Sequence, residues 1–249
     1  FSITSAMGLP LACMIGMDNF YRFLDGARLM DMHFKNASFN LNMPVILAML
    51  SIYYTNFYNV QSQAIICYGG KLTHFTDFVR QLHMESLGKK TKIDGSSVNV
   101  NTGNVIWGGS GSDGQHSYFQ LLHQGSYTIP IDFIVDAGVS DDQMDTYSLA
   151  NCLAQSESLM TGMQEADPER SIDGDKPNNV ILVNKLSPQS IGQLVSLYEH
   201  KVFVQSVIYG INAFDQYDVE LGKKIAQSLS KVISKSSRYT GKNPSTRAL

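Results

Sequence analysis

Charge is scarce in this chain, and so are cysteine, tryptophan and long apolar runs. Asp, Glu, Lys and Arg make up 16% of the 249 residues, and 19 basic against 22 acidic side chains leave a formal charge of −3. No block of five or six like charges occurs, so the sequence lacks the footprint of a nucleic-acid binder or of a polybasic membrane module. A small ligand is the expected partner. The three cysteines, Cys13, Cys67 and Cys152, are odd in number, far apart and without CxxC or CxxH spacing. They form no disulfide framework or zinc knuckle and read as buried, inert thiols of a reducing compartment. Apolar runs such as residues 45–50 fall far short of the ~20 residues that span a bilayer. No basic residue precedes Arg22, so no signal-peptide pattern is present and a cytoplasmic location is expected. The first residue is Phe1, inside an apolar segment, which reads like the interior of a longer protein.

What the chain does have is 43% hydrophobic residues, enough for one large or two small domains at ~150 residues each. Phe20, Phe23, Leu24, Ala27, Met30 and Phe34 follow Asp18 at helical spacing, with Asp18 a candidate N-cap. A second helix is predicted over residues 44–58, with Pro44 in its first turn. Residues 63–68, closed by Gly69 and Gly70, read as a short buried strand, after which Leu72, Phe75, Val79 and Leu82 resume the helical period. Residues 91–100 turn on Asp94-Gly95 as a small hairpin.

Further strands are predicted at 105–107, 129–135 and 180–183, and further helices through Phe119 and Leu122 and over 143–165, 188–211 and 219–233. Residues 166–179 read as a surface loop, and the basic tail from Ser234 as frayed. Strands alternating with helices predict an α/β fold, a parallel-rich sheet covered on both faces, with ligands at the carboxyl ends of its strands.

Several constellations carry chemistry. Gly109-Ser110-Gly111-Ser112-Asp113-Gly114 satisfies GxGxxG between a predicted strand and helix, and Asp132 and Asp136 follow about twenty residues on, as a dinucleotide fingerprint asks. Glycines at such a place also serve other anions or sugars that approach the backbone. Gln115 and His116 moreover stand where a small residue packed on a pyrophosphate is expected. His116, beyond a glycine-rich loop at the carboxyl end of a strand, is placed for proton transfer near neutral pH or for a capping role. His123 and His200 lie within apolar helical stretches and read as structural.

Gln81 and Glu85 are four apart on a predicted helix, share one face and can reach one ligand. Lys223 stands near the start of the last predicted helix, where a cation opposes the dipole, an arrangement suited to an anionic ligand. The stretches 198–205 and 212–223 set polar groups in an apolar context, and such groups need partners if buried. No His, Cys, Asp and Glu pattern has metal-ligand spacing, and no nucleophile elbow occurs.

Three segments carry a family resemblance. One runs from Ile106-Trp107-Gly108 through Gly114-Gln115-His116 to His123-Gln124-Gly125. The second is Tyr198-Glu199-His200-Lys201-Val202-Phe203-Val204-Gln205, and the third runs from Phe214-Asp215-Gln216 to Gly222-Lys223. With residues 1–39, Met84-Glu85-Ser86 and residues 149–158, they resemble the glucose-6-phosphate isomerase, or phosphoglucose isomerase, family almost throughout, to about Ile233.

The resemblance implies a three-layer αβα sugar-isomerase (SIS) fold. Residues 1–43 would be the end of a first SIS domain with connecting helices, 44–185 a second SIS domain, and 186–249 the carboxyl-terminal helices and basic tail. It implies interconversion of glucose 6-phosphate and fructose 6-phosphate through a cis-enediol, without metal or organic cofactor. Glu85 would move the proton between C1 and C2, His116 would open the ring, Lys223 would act near the ring and C1 oxygens, and Gln81 and Gln216 would contact substrate. It further implies a homodimer in which His116 completes the neighbouring subunit's site.

Two departures stand out. Tyr217 and Asp218 replace the family's Trp-Gly, and the family's Gly-Gly-Arg element and Ser/Thr phosphate loops would lie before Phe1, so this chain reads as a carboxyl-terminal half. A non-catalytic sugar-phosphate-binding SIS module and an NAD-dependent dehydrogenase are the alternatives. A pure binder would have no need to keep Glu85, His116 and Lys223 together.

Overall fold

A computed structural model describes residues 2–138, 143–216 and 219–234. They belong to two compact units, Phe1–Phe214 and Asp215–Leu249. The first contains helices α1 (Leu9–Ile15), α2 (Met17–Asn36) and α3 (Met43–Phe57), then strand β1 (Ser62–Tyr68) and helix α4 (Phe75–Leu87). Strand β2 (Val105–Ser110) follows, with the short helices α5 (Gly111–Gln115) and α6 (Phe119–Gln124), strand β3 (Ile131–Asp136), helix α7 (Gln143–Thr161), strand β4 (Asn178–Val183) and helix α8 (Pro188–Tyr209). The second unit contributes α9 (Val219–Ile233).

The strands form one sheet in the order β2-β1-β3-β4, and every neighbouring pair is parallel. This is the α/β architecture expected from the sequence. Alternation along β1 explains how both faces are covered. Ala64, Ile66 and Tyr68 join Phe119, Leu122, Phe133, Cys152 and Leu159 on one side, so α6 and α7 pack there. Ile65 and Cys67 join Val79, Leu82, Leu194 and Val202 on the other, where α4 and α8 lie. Each fully buried Ile or Phe contributes ~1.5–3 kcal/mol, and a strand buried on both faces reads as the unbroken apolar run seen at residues 64–68.

Outside α8 lies α2, and the two helices approach so closely that side chains are excluded at the crossing. A Cβ on Gly26 would sit 1.9 Å from the Gln189 carbonyl oxygen, and one on Gly192 2.0 Å from that of Phe23.

The helix boundaries follow local chemistry. Asn42 caps α3 by accepting from the Val45 amide at 3.4 Å. Ser187 and Ser190 form a capping box ahead of α8, which ends on left-handed Gly210. Three boundaries differ from expectation. Asp18 does not cap α2, because the helix already begins at Met17 after Gly16 (φ 80°), leaving Asp18 in the first turn. Helix α7 stops at Thr161, not at 165, since Gly162 (φ 66°) leaves the helical region. Residues 91–100 form a turn closed by one bridge, Thr91 to Ser97, in place of a full hairpin.

The cysteines also divide. Cys67 and Cys152 are buried as expected, and burial pushes their thiols up to about 11 and about 12. Cys13 is exposed. No described helix is long and apolar enough to cross a membrane. The tail beyond Ser234 lies outside the described residues.

Candidate functional site

Helix α4 turns Phe75, Val79, Leu82 and Leu87 into the core, which leaves Gln81 and Glu85 together on the outer face. The Gln81 Nε2 donates to Glu85 Oε2 at 3.0 Å, so the pair that the i, i+4 spacing predicted does form. Gln81 is exposed and Glu85 half-buried. The helix ends at Gly88, whose amide donates to the Met84 carbonyl at 3.0 Å. Leu87 packs so closely against Gly103 that a Cβ there would lie 3.0 Å from the Leu87 carbonyl carbon, and Thr102 Oγ1 donates to the Lys89 carbonyl at 2.7 Å. Residues 102 and 103 lead directly into β2, so the Gln81–Glu85 end of α4 lies at the amino edge of the sheet.

His116 lies at the other edge. Strand β2 ends at Ser110, whose hydroxyl caps α5, and His116 terminates that helix, its amide donating to the Asp113 carbonyl at 3.2 Å. Beside it, Gln115 Nε2 donates at 3.3 Å to the hydroxyl of Tyr68, the last residue of β1. The imidazole is exposed. Six strand residues at ~3.3 Å each separate the two edges, so Glu85 and His116 of one chain lie on the order of 20 Å apart. The expectation of ligands at the carboxyl ends of the strands therefore fits His116 but not Gln81 and Glu85.

The remaining two candidates belong to the second unit. Gln216 is exposed in the segment after Phe214, and Lys223 is exposed near the start of α9. Tyr217 and Asp218, the departures from the family pattern, lie outside the described residues. Phe214 itself has φ 63°, a left-handed conformation costly for a bulky residue and common beside functional groups.

The dinucleotide fingerprint does not survive. Asp132 is fully buried, with Oδ1 accepting from Asn179 Nδ2 at 2.8 Å and Oδ2 from Gln63 Nε2 at 3.0 Å and the Tyr198 hydroxyl at 3.1 Å. The Asp136 carboxylate accepts from the amides of Gly138 and Leu186. Burial closes Asp132 to a ribose, and each Asp136 oxygen is already taken by a backbone amide. Two of the glycines serve packing: a Cβ on Gly111 would meet the Tyr68 ring at 2.4 Å, and one on Gly114 the Tyr118 hydroxyl at 2.5 Å.

The same network answers the question raised by the polar stretch 198–205. Lys201 is 1% exposed, with Nζ 3.7 Å from Asp132 Oδ2 and 3.2 Å from Gln63 Oε1. Its burial pulls the ammonium below the usual lysine range, against the pull of Asp132. His83, on the inner face of α4, is held down to about 3 by burial and by the Lys201 charge. His123 and His200 are structural as expected. The first is 2.8 Å from Gln155 Oε1, and the second is 2.7 Å from Asp31 Oδ1 and stacked on Phe34. Among the described residues, no three His, Cys, Asp or Glu side chains are grouped to hold a metal ion.

Comparison with known proteins supplies what geometry alone does not. The phosphoglucose isomerase family model matches residues 1–249. The glucose-6-phosphate isomerase of Pseudomonas fluorescens strain SBW25 is 45% identical over 272 residues, covering 100% of this chain and 49% of the relative. That of Ectopseudomonas mendocina is 43% identical over 270 residues, with the same coverage. The chain thus spans about half the length of the curated relatives it matches. Among solved structures, a glucose-6-phosphate isomerase from Chlamydia trachomatis superimposes with a TM-score of 0.88 at 33% identity, over 99% of this chain and 48% of that one. A hypothetical protein from Thermus thermophilus, at 19% identity and a TM-score of 0.65 over 84% of this chain and 50% of that one, shares the fold.

Proposed function

This chain belongs to the phosphoglucose isomerase family, and from that premise we propose that it is the carboxyl-terminal half of an aldose-ketose isomerase that interconverts glucose 6-phosphate and fructose 6-phosphate. The observation that carries this reading is the family match across residues 1–249. Glu85 is the base. Its Oε2 is held by Gln81, which fixes the carboxylate while the other oxygen takes the proton from C2 of the open-chain aldose and returns it to C1 of the resulting cis-enediol. A carbon acid next to a carbonyl needs such a positioned base, and the developing oxyanion needs nearby donors. Lys223 acts near the ring and C1 oxygens, and the Gln216 amide contacts the sugar.

His116 opens the ring. Its place at the sheet edge opposite Glu85 supports an active site shared across a homodimer, with His116 serving the neighbouring subunit. The sugar phosphate is handled without metal or organic cofactor. The phosphate-binding loops and an arginine for the enediolate belong to the rest of the longer protein, which we place in the cytoplasm. In domain terms, residues 1–43 complete a first SIS domain, 44–185 form a second, and 186–249 are the carboxyl-terminal helices and tail.

Exchange of the C2 hydrogen of glucose 6-phosphate with deuterated water tests the base. The chain is assembled with the amino-terminal half of the Pseudomonas fluorescens relative, which supplies the unmatched length. Glu85→Gln should lower exchange at least ~100-fold while 6-phosphogluconate binding persists. Exchange that survives the substitution removes Glu85 from this role, and turnover of the 249-residue chain alone at the rate of an intact enzyme removes the need for the other half.

A further inference from the structure

The chain that leaves Glu85 is tied down at several points. Helix α4 stops at Leu87, and residues 89–102 then form a loop that closes on itself, with Thr102 Oγ1 donating to the Lys89 carbonyl at 2.7 Å. One part of the loop is fixed on α3. The Asn56 side chain accepts from the Asn101 amide at 2.9 Å and donates to the Asn101 carbonyl at 3.2 Å. Another part is fixed on the turn that ends α8, where the Ile93 amide donates to the Gly210 carbonyl at 2.8 Å.

Lys89 adds a bond of a different kind. Its side chain is half-buried, and Nζ donates to the backbone carbonyl of Asn212, 123 positions further along the chain. A surface lysine ordinarily keeps its ammonium in water. Here a charged donor grips main chain, and charge-assisted hydrogen bonds are roughly twice as strong as neutral ones. The acceptor lies just past the left-handed Gly210 (φ 69°) that ends α8. Residues 211–216 belong to no helix or strand, so bonds of this kind set their course. The gripped carbonyl stands four residues before Gln216 and eleven before Lys223.

From this we propose that Lys89 is a positioning residue of the isomerase: by holding the Asn212 carbonyl, it registers the end of α4 that carries Glu85 against the backbone from which the chain departs towards Gln216 and Lys223. The inference rests on the isomerase reading and adds to it a residue that acts through others. Two features favour positioning over a plain loop staple. The loop is already closed through the Lys89 main chain, which Thr102 uses, and through Asn101 on Asn56, so closure does not call for the ammonium. The partner of the ammonium moreover lies outside the loop, in the segment that leads to two of the proposed substrate contacts.

The test assembles the chain with the amino-terminal half of the Pseudomonas fluorescens relative and measures turnover of fructose 6-phosphate. Lys89→Met, which keeps the carbonyl that Thr102 uses, should lower kcat by ~10-fold or more at an unchanged thermal midpoint. Lys89→Arg should restore most of the loss, and Lys90→Met, at the exposed neighbouring lysine, should have no effect. Because Lys89 acts through the course of the chain towards Gln216, its loss and that of Gln216→Ala should not multiply. The double variant should be at least ~3-fold more active than the product of the two single effects. In the same pair, hydrogen exchange of the Ile93 amide should quicken ~10-fold in Lys89→Met, since its bond to Gly210 shares the tie. Full turnover in Lys89→Met overturns the proposal, as do losses that multiply or a loss that Lys89→Arg leaves in place. A wild-type pair without turnover overturns the isomerase reading instead. The Ile93 exchange rate then judges the tie by itself: quickened exchange leaves it standing, and an unchanged rate overturns it.

Discussion

Removing either charge of the buried pair between Asp132 and Lys201 should destabilise the fold, but by unequal amounts. Breaking such a pair typically costs about 3–5 kcal/mol, because the survivor remains charged and buried. Here the survivors differ. Without Lys201, the Asp132 carboxylate still accepts from Asn179, Gln63 and Tyr198 at 2.8, 3.0 and 3.1 Å, and hydrogen bonds to a charged acceptor are each worth about 1.5–3 kcal/mol. Without Asp132, the Lys201 ammonium keeps only Gln63 Oε1 at 3.2 Å and the Tyr198 ring face at 5.4 Å, and the three donors lose their acceptor.

Lys201→Met is therefore expected to cost about 2–3 kcal/mol and Asp132→Leu about 5 or more, with the double variant milder than the sum by about 3 kcal/mol. Urea unfolding followed by far-ultraviolet circular dichroism at pH 7 measures all three. For a chain of this size, about 2–4 °C of melting temperature corresponds to each kcal/mol. A Lys201→Met variant as damaged as Asp132→Leu, or a double variant additive within about 0.5 kcal/mol, would show that this network does not work as a charge pair backed by neutral donors.

Other consequences are cheaper to check. His83, neutral in the fold with its ionisation held to about 3 against an ordinary 6.5, binds fewer protons folded than unfolded. Stability should be fully present above pH 6.5 and fall by up to about one proton's slope, ~1.4 kcal/mol per pH unit, as pH drops toward 3. His83→Leu should flatten that segment of the pH profile, and an unchanged slope would place its origin elsewhere. Gly192→Ala and Gly26→Ala drive a Cβ into backbone oxygens at 2.0 and 1.9 Å and should each cost about 3 kcal/mol in urea unfolding. In Gly222→Ala the Cβ meets no atom of the described residues within 4 Å, so helicity should rise. Titration of the native chain with a thiol reagent at pH 8 should find one fast thiol, Cys13. Fast reaction of Cys67 or Cys152 would contradict their burial.

The division between what was legible and what was not has specific causes. Strands such as 63–68 are visible because a parallel strand buried on both faces leaves an apolar run between turn residues. The Gln81–Glu85 pair is visible because i, i+4 spacing is local geometry. The glycine-rich loop left a dinucleotide open as an alternative because a motif of glycines records only that backbone and something else come close. Here two of those neighbours are the Tyr68 ring and the Tyr118 hydroxyl. The close crossing at Gly26 and Gly192 joins positions far apart in sequence, and neither glycine carries a local sign of it.

By itself, then, the sequence determined the α/β class and most of the order of its elements, since periodicity, capping and motif spacing are properties of neighbouring residues, while the candidate residues were drawn from spacing together with the family resemblance. Only the tertiary structure decided that Asp132 pairs with Lys201 inside the core and that Glu85 and His116 stand at opposite edges of one sheet. Those facts depend on which strands lie side by side and which way each helix runs back across them. Pairing across the fold brings together residues 69 positions apart, such as Asp132 and Lys201, and sets residues 31 positions apart, Glu85 and His116, on opposite edges.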